Sequence, residues 1–232
     1  MKIKKDLELS QDPSLRQREA STKLIEHTTR NKFLMLKNNM KLLFCLHFLP
    51  LGGFLFSLFY YKWLKISLNE QNDIWVSLFT VFEVKTQQTF SIEYFKSFIC
   101  LKIMKNEENC LFLKDFRLAG VVSLLFLGLG ILFHLFAIFQ IILILMDKYI
   151  SFKPKLCLKL RKLQIMTFFL YLIAFFIWFI GSGCFNYIMW NLGICFYVNA
   201  GGVVMYFFLM FYFLYLKRKI AEINRISDYI FD

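Results

Sequence analysis

Hydrophobic positions in this chain gather into four long runs, residues 42–61, 118–146, 164–188 and 192–216, and charged positions fill the stretches between them. Each run reaches about the 20 residues that a helix needs to cross a hydrocarbon core. The pattern predicts four membrane-spanning helices, an all-α membrane bundle. Ahead of the first run, residues 1–41 form a polar arm with ten Lys/Arg against five Asp/Glu, without the apolar segment near its start that a cleavable signal needs. The first run is therefore expected to stay in the bilayer as an anchor. Within the arm, Leu15, Leu24, Ile25 and Leu36 fall partly on one side of a helix over 14–40, which suits a segment lying on the inner leaflet. A mostly disordered tail suits the same composition. Residues 217–232 open on Lys-Arg-Lys and are too few for a domain.

Between the first two runs lies a polar loop, residues 62–117. Residues 74–84 are rich in β-branched and aromatic side chains, and Phe90, Ile92 and Tyr94 alternate with Ser91 and Glu93, a half-buried strand pattern. A small antiparallel sheet is expected there. Cys100 and Cys110 flank the polar stretch Asn106-Glu107-Glu108-Asn109, which reads as the turn of a hairpin. Across such a hairpin the two cysteines face each other, and in an oxidising compartment a bridge would contribute roughly 2–4 kcal/mol. Two unpaired thiols in a cytosolic loop are the alternative.

Glycines and a few polar residues interrupt the apolar runs. Pro50, Gly52 and Gly53 lie near the middle of the first, where a missing donor and absent side chains allow a kink or a close neighbour. Gly128 and Gly130 in the second run, with Gly120 near its start, and Gly201 and Gly202 in the fourth are further candidate helix-packing positions. His134 and Gln140 sit at membrane depth, expected as isolated groups hydrogen-bonded within the bundle. Cys157, among basic residues beside the third run, is a candidate acceptor for a palmitoyl chain. Cys184 and Cys195 leave a second disulfide open.

Composition agrees with the pattern: 58% of residues are hydrophobic and mean hydropathy is +0.54, more apolar than an ordinary soluble domain. The net charge of +12 sits beside the apolar runs, as topology signals do, so no nucleic-acid partner is expected. The arm carries ten Lys/Arg and residues 147–163 carry six, whereas the turn between the third and fourth runs carries none. Both termini are therefore expected in the cytosol and the 62–117 loop outside. No nucleophile motif, phosphate loop, carboxylate pair or metal-ligand spacing is present, and His134, Gln140, Asn186 and Asn199 read as single and dispersed. The expectation is a non-enzyme without cofactor or metal.

Trp63 at the exit of the first run, Cys100 and Cys110 in the loop, and Arg117 just before the second run together resemble the claudin, peripheral myelin protein and calcium channel gamma subunit superfamily. The chain resembles a divergent member, with Ser97 where a second signature Trp would stand. The resemblance implies a four-helix bundle with a small antiparallel sheet in the first extracellular loop, a disulfide between Cys100 and Cys110, and a plasma-membrane location. It implies action through lateral and extracellular contacts with other integral membrane proteins or with further copies of itself, as an adhesion or channel-accessory subunit. Beside it stand two alternatives, an oligomeric channel-forming subunit and an accessory subunit of an organellar membrane complex.

Overall fold

The computed structural model describes residues 13–60, 62–69, 72–98, 107–146, 154–182 and 192–231. Four long helices carry the apolar runs: α1 Pro13–Phe59, α3 Glu107–Met146, α4 Pro154–Gly181 and α5 Ile194–Phe231. Their membrane-compatible portions are Leu34–Phe59, Asp115–Met146, Leu158–Gly181 and Ile194–Glu222. The described residues thus carry four candidate membrane spans, those of a multi-pass integral membrane protein. Large apolar side chains point outward along the spans, among them Phe48, Phe56, Leu125, Phe136, Phe169 and Phe208. That is the surface a bilayer covers, since lipid and core are equally apolar. Pro50 lies inside α1, which continues through it. Cys184 and residues 183–188 of the expected third span lie outside the described residues.

The loop between α1 and α3 folds as a four-stranded antiparallel meander, β1 Leu64–Asn69, β2 Asn72–Val76, β3 Thr80–Glu83 and β4 Gln88–Ser91, in sequence order. Alternation sets its faces: Leu64, Val76, Val81 and Phe90 stand in one cross-strand row, and Lys65, Trp75, Phe82 and Thr89 in the next. The first row is the apolar one. The β2–β3 turn is closed by Ser77, whose Oγ accepts from the Thr80 and Phe79 amides at 2.9 and 3.3 Å. Gln87, at φ 54°, closes the β3–β4 turn.

Two expectations for the loop are corrected. Ile92 and Tyr94 do not continue a strand: Ser91 is the N-cap of a short helix, α2 Ile92–Tyr94, its Oγ accepting from the Tyr94 amide at 3.2 Å. Glu107–Asn109 is not the turn of a hairpin, because α3 begins at Glu107 and Cys110 belongs to its first turn. Acidic residues suit that end of a helix, where the backbone amides point outward. Cys100 and the side chain of Cys110 lie outside the described residues, as does the side chain of Cys157.

The chain forms two compact units, Leu43–Phe213 and Met1–Leu42 with Leu214–Asp232. In the first, the apolar face of the sheet and the spans share one core: Trp63, Leu64, Ile74, Val76, Leu78 and Val81 join Phe54, Phe116, Tyr171, Trp178 and Tyr206. In the second, Leu36, Met40, Leu216 and Ile220 are buried.

Candidate functional site

Trp63 is the pivot between loop and bundle. Its side chain is 1% exposed, its indole N–H donates to the Ser57 carbonyl at 2.6 Å, and its ring lies 4.8 Å from that of Trp178. Phe116 meets Trp178 edge-on at 5.5 Å. The backbone beside Trp63 is tied twice, by its amide to the Val76 carbonyl at 3.1 Å and by its carbonyl to the Gly193 amide at 2.7 Å. The Cys195 amide donates to Lys62 and Leu64 pairs with Leu192, so the start of α5 is fastened to the start of β1. Gly193 permits this contact, because a side chain there would collide with the Lys62 carbonyl. Gly120 does the same under the sheet, where a side chain would run into the Leu78 carbonyl. Arg117 pairs with Glu93 at 2.9 Å, linking the start of the second span to α2.

The candidate packing glycines divide by environment. A Cβ on Gly130 would stand 2.7 Å from the Tyr171 ring, one on Gly202 2.9 Å from Phe54, and one on Gly53 3.4 Å from Val198. Gly52, Gly128 and Gly201 have open space at that position. Polar ties accompany the close pairs: Ser123 donates to the Ala174 carbonyl at 2.8 Å, and the Asn199 amide donates to Ser57 Oγ at 3.2 Å.

Of the polar residues expected to be single and dispersed, His134 is not isolated, whereas Gln140 and Asn199 stand apart from it and Asn186 lies outside the described residues. His47 Nδ1 lies 2.9 Å from His134 Nε2, although 87 residues separate them. His134 Nδ1 reaches the Tyr171 hydroxyl at 3.0 Å, and His47 Nε2 the Gln164 amide nitrogen at 3.4 Å. Tyr206 stands edge-on to both imidazoles, its ring 4.8 Å from His134 and 5.7 Å from His47. Four helices thus contribute to one buried polar cluster. With the Gln164 nitrogen toward His47, donors run in one sense: Gln164 to His47, His47 to His134, His134 to the Tyr171 oxygen. Rotating the amide would place its oxygen, otherwise without a hydrogen-bond partner, against His47 and reverse every donor in the chain. Gln140 is not part of this cluster; its Oε1 is buried without a hydrogen-bond partner. The 3.6-residue period could not reveal the meeting, because the apolar spans carry no signal of which face turns inward.

On the sheet-bearing loop, Phe90, Tyr94 and Phe98 form a ladder of stacked rings, with centroids 5.7 and 5.5 Å apart. Tyr94 and Phe98 remain 47% and 44% exposed, and Phe79 on the β2–β3 turn is 44% exposed. Lys62 lies over the Trp75 ring at 5.6 Å. No protein-family model and no characterised protein matches the sequence.

Proposed function

We propose that this four-span protein works without chemistry of its own, as a claudin-like tetraspan at the plasma membrane that binds other membrane proteins through its sheet-bearing loop and its spans. The observation that carries the reading is the aromatic ladder Phe90–Tyr94–Phe98. It sets exposed aromatic area on a loop fastened to the bundle through Trp63 and Gly193. Exposed aromatics on a rigid support are the raw material of protein-binding hot spots. Both termini are assigned to the cytosol and the loop to the outer side by the lysine and arginine distribution. A Cys100–Cys110 bridge would further fix the segment that follows the ladder.

The test is residue-level crosslinking in native membranes, with a photoreactive group at Phe79 or Phe98. Crosslinks to a membrane protein, or to a second copy, that disappear in Tyr94→Ser support the reading. Crosslinks to lipid alone would show that the ladder is an interfacial anchor and would remove its main support.

A further inference from the structure

We propose that α1 and α5, where their membrane-compatible portions begin and end, form a binding site for one anionic glycerophospholipid. The site is a cleft of about 240 Å³ lined by Lys32, Met35, Leu36 and Asn39 from α1 and by Tyr215, Lys219 and Glu222 from α5. The spacing on each helix, 32-35-36-39 and 215-219-222, is that of a single helical stripe, so the cleft runs along the seam between two such stripes. Each stripe covers seven residue steps, about 10 Å at 1.5 Å per residue.

The chemistry is graded along that length. Lys32 precedes the first residue of one membrane-compatible segment and Glu222 is the last residue of another, so the cleft occupies the edge of the apolar zone. Lys32, Lys219 and Glu222 mark its charged end, Met35 and Leu36 its apolar middle, and Asn39 with Tyr215 its uncharged inner end. A phospholipid has the same grading, a phosphate above and methylenes below. The cleft is smaller than the roughly 300–1,000 Å³ of sites that enclose a whole ligand, which suits a headgroup and the first part of one acyl chain, the rest remaining in the bilayer.

Charge selects the headgroup. Residues 32–41 and 215–222 carry six basic side chains, Lys32, Lys37, Lys41, Lys217, Arg218 and Lys219, and one acid, Glu222. Lys32 and Lys219 line the cleft with Glu222, a net charge of +1 (two less one), Lys219 pairing with Glu222 at 3.1 Å, and the other four basic residues lie on the same stretches of helix outside the lining. A zwitterionic lipid brings no net charge to balance them, and an anionic one does. The proposal rests on the membrane reading of the four spans and is independent of the partner proposed for the loop.

Native mass spectrometry of the intact chain in mild detergent tests it, with phosphatidylglycerol and phosphatidylcholine of identical chains as probes. One saturable phosphatidylglycerol adduct is expected at concentrations where phosphatidylcholine binds at least fivefold less. The double substitution Lys32→Ala/Lys219→Ala is expected to abolish that preference. Lys159→Ala/Lys162→Ala, which removes the same charge elsewhere, is expected to keep it, and Met35→Trp to reduce both lipids by filling the cleft. Equal loss in the two double variants would reduce the effect to diffuse attraction and overturn the site. Displacement of the lipid by millimolar glycerol phosphate would make it a site for soluble phosphate and overturn the choice of a lipid.

Discussion

At the scale of single residues, the glycines of the spans show how position decides the effect of one methyl group. Gly128 and Gly130 are two residues apart on α3, yet a side chain at 128 meets nothing and one at 130 meets the Tyr171 ring. Gly130→Ala is expected to destabilise by about 1–3 kcal/mol, since Tyr171 is held by His134 and cannot retreat freely. Gly128→Ala is expected to be neutral or slightly stabilising, because alanine is the better helix former. Thermal unfolding in one detergent compares the pair, and equal shifts would show that Tyr171 does not pack as described. The two histidines add a second case. His134→Phe leaves both His47 Nδ1 and the Tyr171 hydroxyl short of a partner, a loss of about 1–3 kcal/mol. In the double variant His47→Phe/His134→Phe the mutual bond has no orphaned half, so the two losses should sum to more than the double variant shows. Additive losses would show that the imidazoles do not interact.

At the scale of elements, the loop is held by its ends. Trp63→Phe keeps the ring in the core but removes the donor to the Ser57 carbonyl, an expected loss of about 1 kcal/mol. Amide exchange should rise in β1 and β2 more than in β3 and β4, because Trp63 and its neighbours tie the first strand to α5. Uniform exchange would mean that the sheet is anchored elsewhere. These elements were legible in the sequence to different degrees. The spans were plain, because continuous apolar length is a signal that needs no phase. Gly120 was legible as a packing position but not its partner, the Leu78 carbonyl of the loop, and Gly193 was not legible at all, since its contact depends on the distant Lys62 carbonyl. The loop was half legible: β3 falls within the β-rich stretch and β2 overlaps its start, but the alternation of Phe90, Ile92 and Tyr94 obscured the cap at Ser91. Of the cluster around His47 and His134, the sequence offered His134 as a group hydrogen-bonded in the bundle but not its partners. In a span that is apolar on every side, the hydrophobic period that would phase one helix against another is absent.

At the scale of the whole molecule, the decisive property is which side of the membrane each segment occupies. Four crossings are an even number, which predicts both ends of the chain on one face of the bilayer and the loop between the first two spans on the other. The basic arm and the six Lys/Arg of residues 147–163 favour the cytosol for the first side. The prediction is that an epitope tag in the β3–β4 turn, residues 84–87, is reached by antibody on intact cells. Tags at the N-terminus and at the C-terminus should be reached only after permeabilisation. The turn tolerates the insertion because residues 84–87 are exposed and Gln87 adopts a conformation that a longer loop need not keep. Accessibility of one terminus without the other would break the count of four. Accessibility of both termini, with the turn protected, would keep the count and invert the orientation. That outcome would place the aromatic ladder in the cytosol, remove the oxidising setting a Cys100–Cys110 bridge needs, and move the search for a partner to the other face of the membrane.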